Sequence, residues 1–373
     1  MPEKLDRLKE ELRARGVVGD LGPYCAVYLA ITSRIFDRPA SVFLQGPSGS
    51  GKSFAIDTVL EFFPSEAFIF RTAMSEKALA YIEESMQNRM LVLAEGHAVS
   101  GFFAYLLRTL LSEGRIVYET VDASGETLAA RSIQVEGPTG LVLATTAAEF
   151  EPEIENRVLT IRVDDSVEQT RAILSARARS AAGTVEKRRG DLSEWRDFQG
   201  ALADGPSEVV VPFAERLALA LPPKPVRLRR LFDLLLVLIK ANAAINRDER
   251  EEDAGKIVAS LEDYATVRAL VARPFAEAAE KEIPANVRNV VSGVAEIRSE
   301  TSGRTVRNLD LARHLGIDPG TCSRVVRVAV QLGFLANDEG RAGQPSKLRL
   351  ADPMPEPGES PLPEADRLHD CGE

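Results

Sequence analysis

Ser41-Val42-Phe43-Leu44-Gln45 runs straight into Gly46-Pro47-Ser48-Gly49-Ser50-Gly51-Lys52-Ser53, and the reading of this stretch decides the fold. Val42, Phe43 and Leu44 form a short apolar run that predicts a buried strand. Phe54 to Phe63 has helical spacing and stops before Pro64. Between strand and helix stands Gly-x4-Gly-Lys-Ser, the spacing of a phosphate-binding loop.

The small residues let backbone N–H groups curl inward onto phosphate oxygens, and the helix dipole adds positive potential at the same place. Gly46, Pro47, Ser48, Gly49, Ser50 and Gly51 form the cradle. Lys52 reaches the β- and γ-phosphates, and Ser53 is the Mg²⁺ ligand. ATP with Mg²⁺ is the cofactor this motif predicts.

At 373 residues the chain has room for two or three domains. Its net charge of −10 argues against a uniformly basic nucleic-acid coat, though not against a local basic patch. Cys25, Cys322 and Cys371 are far apart and only three histidines occur, which argues against a disulfide framework or a structural zinc site. The charged, helical start does not read as a signal peptide, and Leu231 to Ile239 is too short to span a bilayer. A cytoplasmic location with no membrane partner is expected.

Residues 1–38 predict two helices, the second (Tyr24 to Ile35) packing beside the nucleotide pocket. After the phosphate loop come a short strand at Ala67–Arg71 and a helix from Met74 to Asn88. Met90-Leu-Val-Leu93 then reads as a parallel strand covered on both faces. It ends in Ala94-Glu95, and Glu95 is the candidate general base that orients the attacking water. Ala94 stands where an acid usually precedes that base. Ser100 to Glu113 is a helix, and Gly114–Val121 with Glu126–Val135 predicts a hairpin. Gly140-Leu-Val-Leu-Ala144 is a third buried strand, tipped by Thr145 and Thr146, either of which reaches a γ-phosphate or its water. Asn156 to Val163 adds a last strand with Arg157 at its start. The competing reading of Arg157 is an ion pair with Glu153 or Glu155.

From Ser166 the pattern turns helical: Ser166–Ala182, Lys187–Ala203 with Trp195 as core, Val226–Ile245, and one or two helices over Ala254–Ala278. Pro284 opens a smaller module. A helix over Ala285–Ile297 and a short strand at Thr305–Arg307 precede a helix capped by Asn308. The turn Gly316–Gly320 leads to a second helix, Thr321–Leu332, and a two-stranded wing follows. That order reads as a winged helix. Arg324, Arg327 and Gln331 share a face of its second helix, and Arg341 and Lys347 lie in the wing. Over 284–350 ten Lys/Arg stand against six Asp/Glu, a local +4 that suits DNA. A protein-contact winged helix is the alternative. The tail, Ala351 to Glu373, is Pro- and acid-rich and predicts disorder.

The order of these pieces resembles the AAA+ ATPases, within them the MCM helicases and the phage- or plasmid-type primase-associated ATPases, over about residues 24–350. The fold so implied is α/β: an AAA+ parallel-sheet core at 39–165 after an N-terminal helical segment at 1–38, an α-helical lid at 166–283, a winged helix at 284–350 and a tail at 351–373. Glu155-Asn-Arg157-Val lies where the family has its arginine finger. Val226-Arg-Leu-Arg-Arg230 is similar to its sensor-2 helix, with Arg230 or Arg229 as the phosphate contact. The resemblance implies ATP bound between copies in a ring such as a hexamer. Lys52, Ser53, Glu95 and Thr146 act in cis and Arg157 acts in trans.

The function so implied is an ATPase coupling hydrolysis to DNA work, helicase-like in the replication of a genome or mobile element. Ala94 and the acidic hairpin tip, Asp122 to Glu126, favour the alternative of an ATP-gated DNA-binding switch or loader. A small-molecule kinase on the same loop is a third reading, and it leaves the winged helix without a role.

Overall fold

The computed structural model of the chain describes residues 3–75, 77–94, 99, 101–122, 129–183, 190–205, 208–222, 227–281, 283–300, 305–339, 341, 344–356 and 358–369. They form two compact units, one comprising residues 1–220, 229–274 and 363–373, the other 221–228 and 275–362.

The first unit opens with helix α1 (Lys4–Ala14), which buries Leu5, Leu8 and Leu12 at helical spacing. Helix α2 (Gly22–Thr32) begins with Pro23 in its first turn and is buried almost all round. Then come β1 (Val42–Gln45), α3 (Lys52–Leu60), β2 (Phe68–Arg71), β3 (Arg89–Leu93) and α4 (Gly101–Glu113). Strands β4 (Arg115–Asp122) and β5 (Ala129–Glu136) pair antiparallel as the expected hairpin. Its tip, 123–128, lies outside the described residues. Strand β6 (Thr139–Thr145), the short helix α5 (Pro152–Glu155) and β7 (Leu159–Arg162) complete this part.

The sheet has the order β2-β3-β6-β1-β7 and every pair in it is parallel. The strands are short apolar runs covered on both faces, the pattern that parallel pairing requires. Val42 lies beside Val142 on one side and Leu159 on the other. Phe43, Leu91, Leu93, Leu141 and Leu143 form one core with the inner face of α4, and Ile116 and Val135 anchor the hairpin root in it. Gly140 is dictated by space: a Cβ there would come within 2.7 Å of the Met90 side chain and 2.9 Å of the Ala40 carbonyl oxygen.

Two expectations for this unit change. Among the described residues of 74–88 the only helical element is a 3₁₀ turn at Ala78–Tyr81. Leu79, Ala80 and Met86 are all buried in the core, and Tyr81 packs edge-on against Tyr118 of the hairpin. Those tertiary contacts override the local helical preference. Residues 252–258 are likewise strand rather than helix. Helix α6 (Val167–Ala181), α7 (Ser193–Asp204), β8 (Val209–Val210), α8 (Ala214–Ala220) and α9 (Leu228–Ile245) lead to β9 (Glu252–Asp253) and β10 (Lys256–Val258). Ala254 and Gly255 both have positive φ, which closes a two-residue hairpin between β9 and β10. Helix α10 (Leu261–Lys281) follows, and the two units divide at its internal Pro274. Trp195 is core, edge-on to Phe62 at 5.3 Å and to Tyr28 at 6.0 Å.

Arg34 is 2% exposed, and its guanidinium bonds both the side-chain and main-chain oxygens of Gln199 on α7. Burial among neutral partners pulls its pKa down to about 10, which still leaves it charged near neutral pH.

The second unit contains α11 (Ala285–Glu300), α12 (Asn308–Leu315), α13 (Pro319–Gln331), β11 (Leu335–Asn337) and β12 (Leu348–Leu350). The strands pair antiparallel, Leu335 beside Leu350, and Val306 bridges to Leu348. Val290, Val294, Leu311, Val326 and Phe334 share its core. Asn308 is the first residue of α12 rather than its cap. The Ser346 hydroxyl accepts the Asn308 N–H at 2.7 Å instead. Asp318 caps α13 by accepting the Thr321 N–H.

Residues 358–369 pack in place where disorder was expected. Leu368 is buried, Tyr264 donates to the Pro363 carbonyl and Arg268 pairs with Glu364. Arg288 donates to the Pro355 carbonyl within the second unit. Prolines narrow the conformations available to the free chain, so a few such anchors suffice to fix it. No helix among the described residues is long and apolar enough to cross a membrane.

Placing a methyl group at residue 140 tests the tight approach of Met90 and Ala40. Gly140→Ala is expected to lower stability by about 1–3 kcal/mol, read as a lower urea midpoint; an unchanged midpoint would contradict the packing.

Candidate nucleotide site

Sheet polarity places the phosphate loop at the carboxyl ends of the strands. The chain leaves β1 at Gln45, and Gly49 (φ 81°) and Gly51 (φ 93°) adopt left-handed backbone. A Cβ at either would meet nothing within 4 Å, so glycine is demanded by conformation there, not by space. Gly51 is the N-cap of α3 and supplies no side-chain cap, leaving the first N–H groups of that helix aimed at the loop.

Lys52 is only 7% exposed. Its Nζ donates to the Gly46 carbonyl at 2.9 Å, the Pro47 carbonyl at 2.7 Å and the Ser50 hydroxyl at 3.4 Å. Burial lowers its pKa. The loop therefore holds an ammonium at its centre and a fan of helix amides on its rim, a donor set that fits a polyphosphate. Ser53 is exposed beside it. No group of three or more His, Cys, Asp or Glu among the described residues forms a metal cage. A Mg²⁺ ion would accordingly be held by the Ser53 hydroxyl and the phosphate oxygens. Glu95 lies outside the described residues. Ala94 follows β3, with its N–H on the Arg71 carbonyl.

On the neighbouring strand, Thr145 pairs with Gln45. Its hydroxyl accepts the Ala147 N–H and is 2% exposed, so it serves its own turn. Thr146 follows, exposed at the strand tip beside the start of the loop. Gln45, which the sequence did not single out, donates to the carbonyls of Ala147 and Ala148 and holds that turn against β1.

A cavity of about 680 Å³ opens beside residues 47–51. Val17, Val18, Tyr24 and Phe54 line it on one side and Gln169 and Ile173 on the other. It was not legible in the sequence, because three segments far apart in the chain build it. Its local traces are the glycines at 16 and 19 and the Ser166-x-x-Gln169 pattern at the start of α6.

A family model described as the MTBMA_p00010 P-loop domain matches residues 5–194, just over half of the chain. The chain belongs to this P-loop domain family. Three solved structures are similar to it. An SCCmec type IV Cch active helicase shares 12% identity, with 94% of this chain and 70% of that one covered at TM-score 0.42. A RuvB point mutant from Thermotoga maritima shares 16%, with 93% and 95% covered at 0.31. The Aeropyrum pernix Orc1 protein in complex with DNA shares 14%, with 91% of each covered at 0.29. Identities of this size bear on fold alone. No curated protein matches the chain in sequence.

Arg157 and Arg230 lie elsewhere than the loop. Arg157 precedes β7, and the Leu159 N–H binds the Ser41 carbonyl, so Arg157 is at the amino end of the strands. Its Nε donates to the Ser112 hydroxyl at 2.6 Å and its NH1 to the Glu153 carbonyl, while the Glu153 carboxylate pairs with Arg108. Arg230 or Arg229 was expected as a phosphate contact. Arg230 instead lines a cleft of about 1020 Å³ with Arg157, Arg38, Asp233 and Lys240. The reason is the course of α9: Arg230, Asp233, Leu234 and Val237 share one face, and that face runs along residues 35–41, ahead of β1. Strand β1 alone separates this cleft from the loop by about 13 Å. Arg229 is exposed and does not line the cleft. Burial, then repulsion from Arg230 and Arg108, lowers the Arg157 pKa.

In the second unit Arg324, Arg327 and Gln331 are all exposed along α13, and Arg324 donates to the Thr321 hydroxyl. The strand pair neutralises its own cations: Lys347 pairs with Glu339 at 2.8 Å and Arg349 with Asp338 at 3.0 Å. Arg341 is exposed, with its main-chain N–H on Glu339.

Lys52→Ala removes the only ammonium from the loop. Charge-assisted hydrogen bonds contribute about 1.5–3 kcal/mol each, so the affinity for MgATP is expected to fall at least about 10-fold in a calorimetric titration, with the circular dichroism spectrum unchanged. Equal affinities for wild type and variant would exclude this loop as the site.

Proposed function

We propose that the chain is an AAA+-type ATPase, active as an oligomer, that couples ATP turnover to DNA through its second unit. The strand order β2-β3-β6-β1-β7 around the phosphate loop supports the AAA+ assignment. The observation that carries the oligomeric reading is the arginine cleft. Arg157 and Arg230 repel one another at the end of the sheet away from their own P-loop, and a cationic pair of that kind suits an anion brought by another molecule. The γ-phosphate on a neighbouring copy meets the requirement. Arg230 thus joins Arg157 in trans.

In this reading the loop amides and Lys52 hold the β- and γ-phosphates, and Ser53 positions Mg²⁺, which offsets charge on the phosphate oxygens. Thr146 orients the attacking water and Glu95 takes its proton. Arg157 and Arg230 from the next copy stabilise charge on the transferring phosphoryl group. Arg157→Ala should keep ATP affinity within about 2-fold yet lower kcat by about 10³-fold or more, measured by separate binding and steady-state assays. Unchanged turnover would remove the trans assignment.

The second unit is proposed to bind DNA as a winged helix, with helix α13 as its main contact. The local +4 and the exposed Arg324-Arg327-Gln331 stripe support this. Because Lys347 is already paired with Glu339, the helix arginines matter more than the wing. Arg324→Ala and Arg327→Ala are each expected to reduce the slope of log affinity against log salt by about 1, while Lys347→Ala changes it less. An ATP-gated switch is the second reading, favoured over a fast motor by Ala94. Strand displacement on forked DNA separates the two, since a switch binds duplex without opening it.

A further inference from the structure

The cleft that holds Arg157 and Arg230 is longer than one phosphoryl group needs. Arg230 and Lys240 both line it, and the ten residues of α9 between them span about 15 Å of helix. Arg38 lines it as well. After burial, the cations that lower the Arg157 pKa are Arg230 and Arg108 and not Arg38, so Arg38 stands apart from that pair. A phosphoryl group held by Arg157 and Arg230 leaves Arg38 in need of a second anion.

The loop that carries Arg38 is closed at its root. The fully buried Ser33 hydroxyl donates to the Ala30 carbonyl at 2.6 Å and accepts the Ala40 N–H at 2.8 Å. The Phe36 N–H binds the Ser33 carbonyl, and the Ser41 hydroxyl accepts the Leu141 N–H at 3.0 Å. Arg34, locked onto Gln199, sits at the start of the same turn. Pro39 restricts the backbone of Arg38 further. An exposed guanidinium is thus held on a fixed loop, yet it pairs with no carboxylate among the described residues. Of the acids lining the cleft, Glu208 pairs with Lys256 at 2.6 Å, and neither Asp37 nor Asp233 is ion-paired with Arg38.

The edge of the sheet that carries the phosphate loop has carboxylates to offer. Asp164 and Asp165 follow β7 and line the cavity beside the loop. Asp164 accepts the Ser166 N–H at 2.9 Å, a bond that lowers its pKa. Asp165 is exposed and has no partner among the described residues. Asp57 lies one turn beyond Ser53 along α3, where burial and then Glu61 raise its pKa, so it is the poorer anion.

We propose that Arg38 of one copy pairs with Asp165 of the next, and that this contact sets the register in which Arg157 and Arg230 meet the γ-phosphate. The proposal rests on the trans reading above and names a further pair of residues at that junction. A lone exposed ion pair contributes little affinity, whereas like charges in its place are strongly rejected, so its use is register rather than strength.

The test swaps the two charges in the full chain and follows assembly by light scattering at saturating MgATP, alongside turnover. Arg38→Glu and Asp165→Arg, each alone, set like charges against each other at every junction. Each is expected to raise the concentration needed for assembly by about 10-fold or more and to slow turnover. The double variant restores opposite charges with their signs exchanged, and both readouts should return to within about 3-fold of wild type. A double variant no better than the weaker single one would overturn the pairing, as would wild-type assembly and turnover by Arg38→Glu. Should Arg157→Ala also turn over ATP at the wild-type rate, the trans reading itself falls. A slow Arg157→Ala beside a fast Arg38→Glu removes only the register contact.

Discussion

Parallel pairing of β1 with β6 and β7 is the constraint from which the rest follows. Parallel strands bring like ends together, so the sheet has a carboxyl edge carrying the phosphate loop and Thr146, and an amino edge carrying Arg157. The hydrogen-bonded ladder is buried on both faces and cannot slip without exposing Val42, Phe43 and Leu44. Charges at the two edges therefore remain apart, and no rotamer change lets Arg157 reach its own Lys52. A division of labour between copies is the simplest use of that separation.

Within the loop the balance is electrostatic. A nearly buried ammonium sits among carbonyls and a hydroxyl, with burial lowering its pKa and no carboxylate among its hydrogen-bond partners. Such a group is poised for an anion, which would replace neutral oxygens by charged ones. The arginine cleft repeats this logic at the other edge, where repulsion from Arg230 and Arg108 adds to burial at Arg157. In the second unit the opposite arrangement holds, because Glu339 and Asp338 quench the strand pair's cations and leave α13 as the basic face.

What the sequence made legible was what is local. The phosphate loop, the Thr146 tip, the hairpin and the exposed stripe on α13 each depend on spacing within a dozen or so residues. The losses were non-local or stereochemical. The surroundings of Arg230 depend on how α9 packs beside residues 35–41, which no local pattern shows. Residues 74–88 have helical composition, but burial of Leu79, Ala80 and Met86 against the core overrides it. Ala254-Gly255 reads as an ordinary helix start until both residues are seen at positive φ. The cap of α12 comes from Ser346, thirty-eight residues away. The cavity beside the loop needs residues 13–24 and 163–180 together, and neither segment announces the other.

The central claim is that one copy's arginines complete another copy's phosphate site, and mixing two inactive variants tests it most directly. Lys52→Ala and Arg157→Ala proteins would be combined in equal amounts and ATP turnover compared with that of each alone. The account predicts partial recovery, since some interfaces in mixed oligomers join an intact loop to an intact arginine. No recovery, in a mixture shown by light scattering to contain joint oligomers, would contradict it.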